Sequence, residues 1–170
     1  MNFSVVSQWK GTWGSFASSP TFCPTGSFAF GYQIKIDKIQ DSGDSTVLKD
    51  IELFCRRPNS NEVNERLDVT MKWSSQSYCS GTNNPIVGFD VMAYGLQETK
   101  DDRAFNAVDM NCKDGSYISA DVQPFVVNLS EQKCPDDYAV MGIRKQVQEN
   151  QDTGDDTTLN GIELYCLPYP

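Results

Sequence analysis

Alternating apolar and polar positions recur three times along the chain, each time in the residues that lead to a cysteine. The apolar members of the three series are Ile51, Leu53 and Cys55, then Val108, Met110 and Cys112, then Ile162, Leu164 and Cys166. A period of two is typical of a β-strand with one face turned to a core. The pattern therefore predicts three equivalent strands.

A second strand signal precedes each of these series. It consists of a glycine with apolar residues on both sides, at Gly31, Gly88 and Gly142. Glycine inside a strand usually marks a bulge or a close approach of another backbone, and we expect the three glycines to approach one another at a shared axis. No segment has a convincing helical stripe, and the polar segment 63–69 is interpreted as a link or an outer strand.

The cysteines divide the chain into three repeats of about 55 residues. Long and short gaps alternate between them, at Cys23, Cys55, Cys79, Cys112, Cys134 and Cys166. The repeats, about 1–60, 61–115 and 116–170, fill the chain and predict a single all-β domain. One repeat has too few strands to bury two faces, so we expect three sheets to enclose a shared core as the sides of a prism.

The repeat also predicts the disulfides. Of all the pairings open to six cysteines, only Cys23–Cys55, Cys79–Cys112 and Cys134–Cys166 keep every bridge inside one repeat. Each would stabilise the fold by roughly 3–4 kcal/mol through loop closure, and three bridges indicate an oxidising, extracellular compartment. Residues 1–10 lack the features of a signal peptide, so we expect a mature secreted chain whose leader is missing.

Charge and composition exclude several classes of function. The net charge is −9 and histidine is absent, which argues against nucleic-acid or anionic-membrane partners and against catalytic Ser-His or Cys-His pairs. Basic residues stand out only at Lys35, Lys38, Arg56 and Arg57. No metal site is predicted, since no segment has the spacing of a calcium loop, histidine is absent, and no cysteine lies in a Cys-x-x-Cys pair. No cofactor is expected.

The third repeat ends in the motif Asp-Asp-Thr-x-x-Asn-x-Ile-x-Leu-x-Cys, at 155–166, and the other repeats carry variants of it. Together with Trp-Lys-Gly-Thr-Trp-Gly at 9–14 and Cys-Pro-Thr-Gly at 23–26, it makes the whole chain resemble the vitelline membrane outer layer protein family. The resemblance implies a type I β-prism of three four-stranded sheets with pseudo-threefold symmetry. It also implies secretion, a place in an egg coat or mucosal fluid, association with mucin-like fibrils, and a transfer activity on chitin-type oligosaccharides. Family members have a fourth disulfide for which this chain lacks cysteines.

An acidic turn in each repeat is the first candidate site. Its residues are Asp44, Asp101, Asp102, Asp155 and Asp156, which pseudo-threefold symmetry would gather at one end of the prism. Carboxylates can act on a glycosidic bond or bind Ca²⁺. Turn capping is the favoured interpretation, because three equal copies give no division of catalytic roles.

Aromatic residues and sequons supply further candidates. Trp9, Trp13 and Trp73 could stack on sugar rings, although packing in the core is the ordinary role of tryptophan. Asn2 and Asn128 each begin an Asn-x-Ser sequon and are candidate glycosylation sites.

Three hypotheses of function follow. The leading one is a secreted, non-enzymatic structural protein of an extracellular coat or mucosal surface, with extracellular glycoproteins or mucin-type glycans as partners. The second is a glycan-binding, lectin-like module that uses the tryptophans and acidic turns. The third is a transferase acting on N-acetylglucosamine oligosaccharides, for which no catalytic residue is assigned.

Overall fold

A computed structural model describes residues 3–9, 15–16, 19–38, 46–62, 65–66, 76–93, 107–119, 127–147 and 159–170. These residues contain thirteen β-strands. In chain order the strands are β1 Ser4–Trp9, β2 Ser15–Phe16, β3 Thr21–Phe22, β4 Phe28–Lys38, β5 Thr46–Arg56, β6 Glu65–Arg66, β7 Ser77–Tyr78, β8 Ile86–Ala93, β9 Ala107–Cys112, β10 Tyr117–Ser119, β11 Val127–Lys133, β12 Tyr138–Val147 and β13 Leu159–Pro168.

The strands form three antiparallel sheets. Sheet I has the order β6-β5-β4-β7, and sheet II has the order β10-β9-β8-β11. Sheet III has the order β1-β13-β12-β2, and the short strand β3 pairs with β12 as well. Three sheets around one core confirm the predicted type I β-prism. Sheet III counts five strands because β2 and β3 both pair with β12.

Each sheet combines strands from two repeats. The central hairpin of a sheet comes from one repeat, as β4–β5, β8–β9 or β12–β13, while the flanking strands come from the repeat that follows it. In sheet III the flanking strands are β1, β2 and β3 from the start of the chain, and Ser4 pairs with Cys166. The sequence suggested that each repeat forms one sheet, whereas each sheet in the structure is shared by two repeats. The pairing of β1 with β13 closes the prism.

The core is built from the inward faces of all three hairpins. Ile51 and Leu53 from sheet I, Met110 from sheet II, and Ile162 and Leu164 from sheet III are fully buried in one cluster. This confirms the inward face predicted from the period of two. The polar side of β5 is buried as well, because the outer face of its sheet is covered.

One buried tyrosine fastens two sheets to each other across the core. Tyr32 in sheet I has no exposed surface, and its hydroxyl donates to the carbonyl of Val108 at 2.6 Å. The same hydroxyl lies 3.0 Å from the carbonyl of Ile118. Both acceptors belong to sheet II, so the tyrosine fixes the position of one sheet against the next.

The three predicted disulfides are present, and each connects two sheets. Cys23 follows β3 of sheet III and is bonded to Cys55 in sheet I. Cys79 follows β7 of sheet I and is bonded to Cys112 in sheet II. Cys134 follows β11 of sheet II and is bonded to Cys166 in sheet III. The bridges thus run around the prism and join every sheet to both neighbours.

The three glycines do not meet at a shared axis, contrary to the expectation from the sequence. Each lies at a bulge in its hairpin and faces a side chain of the flanking strand on the same sheet. A Cβ at Gly31 would lie 2.7 Å from the carbonyl oxygen of Ser77 and collide with the ring of Tyr78. Phe22 occupies that place over Gly142, and Lys133 does so over Gly88. The close approach is therefore to a neighbouring strand, on the outside of the prism.

Candidate functional site on the outer face of sheet II

The outer faces of sheets I and III are covered by aromatic residues next to the bulge glycines. Phe54 stacks on Tyr78 in sheet I with ring centroids 5.3 Å apart. In sheet III, Phe22 stacks on Phe3 at 4.9 Å and meets Tyr165 edge to face at 5.5 Å. These contacts bury apolar surface and stabilise the sheets.

Sheet II has polar residues at the same positions. Asn111 replaces Phe54 and Tyr165 as the residue before the cysteine, and Lys133 replaces the flanking-strand aromatic. Tyr117 on β10 lies next to Asn111 on β9, and 57% of the surface of Tyr117 is exposed. The sheet II platform, as we call this surface, has a first row formed by Tyr117, Asn111, Gly88 and Lys133.

The second row of the sheet II platform is acidic. Asp90 pairs directly with Asp109 on one side and with Glu131 on the other, and Ser119 pairs with Asp109. Like charges placed opposite each other on a sheet are destabilising. The acidic row therefore lowers the free energy of unfolding.

The other two sheets have complementary pairs at the same position. In sheet I the amide of Gln33 donates to the carboxylate of Glu52. In sheet III, Arg144 and Glu163 form an ion pair at 2.7 Å. The cross-strand pair of carboxylates is thus a departure from the repeat, confined to the second of the three hairpins.

The two aspartates of the pair have different surroundings. Asp90 is only 4% exposed, and its Oδ1 is buried without a hydrogen-bond partner. Burial, Glu131 and Asp109 raise the pKa of Asp90. Asp109 is half-buried and accepts a hydrogen bond from the hydroxyl of Ser119, and burial raises its pKa despite that bond. A buried acid thus lies beside a more accessible one.

Glu131 is the centre of the hydrogen-bond network on the sheet II platform. Its Oε1 accepts from Nδ2 of Asn111, forms an ion pair with Lys133, and lies 3.4 Å from the hydroxyl of Tyr117. Lys133 and these hydrogen bonds lower the pKa of Glu131, and Glu131 in turn raises the pKa of Lys133. Three side chains are therefore oriented by one carboxylate.

Gly88 makes this network possible. Asn111 on β9 lies opposite Gly88 on β8, and Lys133 on β11 lies on the other side of that glycine. Because Gly88 has no side chain, Asn111 can extend across β8 to Glu131. Asn111 is only 3% exposed, and its Oδ1 is buried without a partner. The floor of the sheet II platform thus contains two unpaired oxygens, one from Asn111 and one from Asp90.

An open cleft of about 380 Å³ continues from the first row of the platform. Tyr117, Asn111 and Lys133 line its near side, and the turn after β9 and the loop between β11 and β12 line the rest through residues such as Lys113, Asp136 and Tyr138. The cleft therefore borders the first row of the platform, and the acidic second row lies outside its lining.

Hydrogen-bond acceptors and an exposed ring define what this surface can bind. Carboxylate and amide oxygens accept hydrogen bonds from hydroxyl groups, and the face of a tyrosine packs against apolar surface. The described residues contain no group of three or more acidic, cysteine or histidine side chains placed to hold a metal ion. A polyhydroxylated ligand with an apolar face fits this chemistry better than a cation.

Most residues that the sequence put forward as site candidates lie outside the described residues. They are Asp44, Asp101, Asp102, Asp155 and Asp156 of the acidic turns, Trp13, Trp73 and the sequon residue Asn2. Trp9 lies in β1 opposite Gly161, and Asn128 lies in β11 opposite Met92; their side chains are also outside the described part. These assignments stay predictions.

The residues of the sheet II platform were not among the candidates from the sequence. The acidic turns were chosen because all three repeats share them, whereas the platform is where the second repeat differs from the others. Aligned on the glycine and the cysteine, Asp90 and Asp109 stand where the first repeat has Gln33 and Glu52. A search for departures from the repeat would have found them.

Comparisons with known proteins agree with the fold and extend over nearly the whole chain. Residues 4–168 match the family described as Vitelline membrane outer layer protein I (VOMI). The chain is 31% identical over 166 residues to the vitelline membrane outer layer protein 1 homolog of Mus musculus, covering 92% of this chain and 79% of the relative. It is 30% identical over 168 residues to the Homo sapiens homolog, covering 92% and 78%.

Two solved structures are similar to this fold at low sequence identity. The V. cholerae biofilm matrix protein Bap1 matches with a TM-score of 0.52 and 7% identity over 99% of this chain and 24% of Bap1. A mannose-binding lectin from Champedak matches with a TM-score of 0.45 and 8% identity over 93% of this chain and 99% of the lectin. At such identities the Bap1 likeness concerns the fold alone.

No helix among the described residues is long and apolar enough to span a membrane.

Proposed function

Because the chain belongs to the vitelline membrane outer layer protein I family, we propose that it is a secreted, non-enzymatic structural protein of an extracellular coat or mucosal surface that binds the glycans of that coat. The partners are extracellular glycoproteins with mucin-type or similar glycans. Neutral sugars bind on the sheet II platform.

The single observation that carries the glycan-binding role is the unlike second hairpin. On their outer faces, sheets I and III have stacked aromatic rings in the first row and a complementary polar or charged pair in the second. Sheet II instead has Asp90, Asp109 and Glu131 beside an exposed Tyr117. A cross-strand carboxylate pair is unfavourable for folding, so its presence suits a binding role, in which stability is exchanged for function. Glu131 and Asp109 can accept hydrogen bonds from ligand hydroxyls, and ordered water can satisfy the buried Oδ1 atoms of Asp90 and Asn111.

The structural role in a coat is supported by the covalent framework. Three disulfides joining three sheets in a ring restrict opening of the prism, and such bridges persist in oxidising compartments. A rigid body with one polyhydroxyl-binding face can attach to fibrils without changing its own shape.

A glycan array tests the proposal with two matched variants. Asp90→Asn removes one carboxylate from the sheet II platform, and Glu163→Gln removes a carboxylate from the outer face of sheet III. We expect Asp90→Asn to weaken the array signal for neutral glycans by about tenfold, the value of one charge-assisted hydrogen bond, and Glu163→Gln to leave it unchanged. Equal binding by both variants, or no binding by the wild-type protein, would contradict the proposal.

A second candidate function is glycosyl transfer, which one specific observation favours. Asp90 is buried with a raised pKa, whereas Asp109 is more accessible and hydrogen-bonded to Ser119. Two carboxylates in unlike surroundings are the usual requirement for acid and nucleophile roles at a glycosidic bond.

Mass spectrometry of chitohexaose incubated with the protein tests this second candidate. Transfer would produce longer and shorter oligomers, and Asp109→Asn would abolish them. Unchanged chitohexaose would exclude transfer, and if the glycan array is positive, glycan binding without catalysis would be the function that remains.

A further inference from the structure

The last residue of β5 is a buried arginine that no carboxylate among the described residues pairs with. Arg56 is 7% exposed, and its guanidinium carbon lies 4.4 Å from the ring centroid of Phe30. Nε and Nη2 are buried and make no hydrogen bond. The contact with the ring is favourable, but it leaves both of these nitrogens unsatisfied.

A buried guanidinium without a counter-ion is energetically unfavourable, because the lost hydration is not replaced by a charge or hydrogen bonds. Burial lowers the pKa of Arg56, and only Tyr78 and Tyr169 act in the opposite direction. The chain has 23 acidic residues against 14 basic ones, yet no carboxylate of the described residues pairs with this arginine. An anion from outside the chain would supply the missing charge.

A second cation lies at the same end of the prism. Lys113 follows Cys112 as Arg56 follows Cys55, and its Nζ is 4.7 Å from the ring centroid of Tyr169. The rings of Tyr169 and Phe30 are 6.5 Å apart, so the two cations flank one aromatic pair.

A further unpaired donor lies beside Lys113. Asn84 accepts a hydrogen bond from the amide of Asp114 through Oδ1, while its buried Nδ2 has no partner. Arg56, Lys113 and the buried Nδ2 of Asn84 thus supply donors at this end, where Asp114 and Asp136 are acidic residues near Lys113.

We propose that this end of sheet I binds the sulfate or carboxylate group of an acidic sugar, with Arg56 pairing with the oxyanion. A guanidinium matches such a group through two parallel hydrogen bonds. Tyr78, which is 37% exposed and stacked on Phe54, offers its free surface to the sugar ring. Pairing with the oxyanion requires the guanidinium to move from Phe30, where two of its nitrogens are buried and unsatisfied. This site centres on Arg56 and does not use the acidic row of the sheet II platform, although Lys113 also lines the cleft that borders the first row of the platform.

The first experiment measures thermal unfolding in sodium sulfate and in sodium chloride at equal ionic strength. We expect sulfate to raise the Tm of the wild-type protein by about 4 °C at about ten times its dissociation constant. Arg56→Gln removes the saturable part of this difference and leaves the non-saturating increase that sulfate gives by exclusion from protein surfaces. Arg57→Gln changes the net charge equally at the neighbouring exposed position, and it retains the difference.

A sulfate effect on the wild-type protein that has no saturable part, or a saturable sulfate effect that persists in Arg56→Gln, would overturn the proposal. If Arg56→Gln does not fold, the Nε–H resonance of Arg56 is followed by NMR in the wild-type protein during a sulfate titration. A saturable shift of this resonance supports the site, and a resonance that does not change overturns the proposal.

Matched sugars test whether the oxyanion belongs to a saccharide. N-acetylglucosamine 6-sulfate should shift the Arg56 resonance at lower concentration than inorganic sulfate, and unsulfated N-acetylglucosamine should leave it unchanged. If free sulfate bound as tightly as the sulfated sugar, the proposed contact between the sugar ring and Tyr78 would be refuted. Because the sheet II platform is tested with neutral glycans and Asp90→Asn, the two proposals can fail independently.

Discussion

At the scale of single residues, the sheet II platform is a place where folding and binding have opposite requirements. In sheet I the amide of Gln33 donates a hydrogen bond to the carboxylate of Glu52, and in sheet III Arg144 forms an ion pair with Glu163. Asp90 has no such partner, and burial raises its pKa. A raised pKa means that the folded protein binds a proton more tightly than the unfolded chain. The contribution of Asp90 to stability is therefore greatest at low pH and decreases as the pH rises through its pKa in the folded state.

Asp90→Asn should accordingly stabilise the protein at pH 7 by on the order of 1 kcal/mol, the size of a like-charge pair across strands. The new amide can also donate to Asp109, as Gln33 donates to Glu52. The gain should disappear below pH 3.8, the ordinary pKa of an aspartate. Denaturant unfolding at pH 3 and pH 7 measures both effects.

Glu163→Gln is the matched change with the opposite sign. Arg144 lowers the pKa of Glu163, so this carboxylate stabilises the fold above its ordinary pKa, and that stabilisation is lost as the pH falls. The variant should be less stable than the wild-type protein at pH 7 by less than about 1 kcal/mol, with a smaller difference at pH 3. A destabilised Asp90→Asn at pH 7 would show that the acidic pair is not strained.

At the scale of strands, the hairpins could be predicted and the flanking strands could not. The period of two and the glycine mark β4–β5, β8–β9 and β12–β13, because those strands bury one face and repeat three times. Strands such as β6 and β7 have two residues each, too few for a period. Their pairing depends on which repeat lies next to which, and this is information that local sequence does not contain.

The bulge glycines hold the flanking strands, and this gives a prediction. Gly31→Ala places a methyl group against the carbonyl of Ser77 and the ring of Tyr78, so it should destabilise the protein by about 1–3 kcal/mol through overpacking. The near-ultraviolet circular dichroism should change as Tyr78 moves away from Phe54.

Gly26→Ala is the control for this change. Gly26 has a φ of 79°, and nothing lies within 4 Å of the position that a methyl group would take there, so the cost of the substitution is that of the backbone alone, about 1 kcal/mol. The near-ultraviolet spectrum should be unchanged. If Gly31→Ala behaved in the same way as Gly26→Ala, the close contact with β7 would be refuted.

At the scale of the whole molecule, the disulfides connect the sheets in a ring. Each bridge has a sequence separation of 32 or 33 residues and joins the end of a flanking strand to the next hairpin. Replacing both cysteines of any one pair by serine should therefore cost about the same free energy of unfolding, roughly 3–4 kcal/mol by loop entropy. Guanidinium denaturation of the three double variants measures it. One variant far less stable than the other two would show that the sheets do not contribute equally.

The prism and its disulfides could be predicted because symmetry repeats their signals three times. The sheet II platform has no such threefold signal, because Asp90, Asp109 and Asn111 break that symmetry, and each is an ordinary residue for an exposed strand face. Only the register shows that they are adjacent, and only burial shows that two of their oxygens are unpaired. The buried environment of Arg56 is likewise a property of the packing around Phe30 rather than of its neighbours in sequence.

The most direct test of the sugar-binding face is an NMR titration of the isotope-labelled protein with N-acetylglucosamine. We predict saturable shifts of the backbone amides of Asp90, Asp109, Asn111, Tyr117 and Glu131, and no shifts at Gln33, Glu52, Arg144 and Glu163, the equivalent positions of sheets I and III. Absence of saturable shifts, or shifts of equal size on all three sheets, would contradict the central claim that sheet II carries this face.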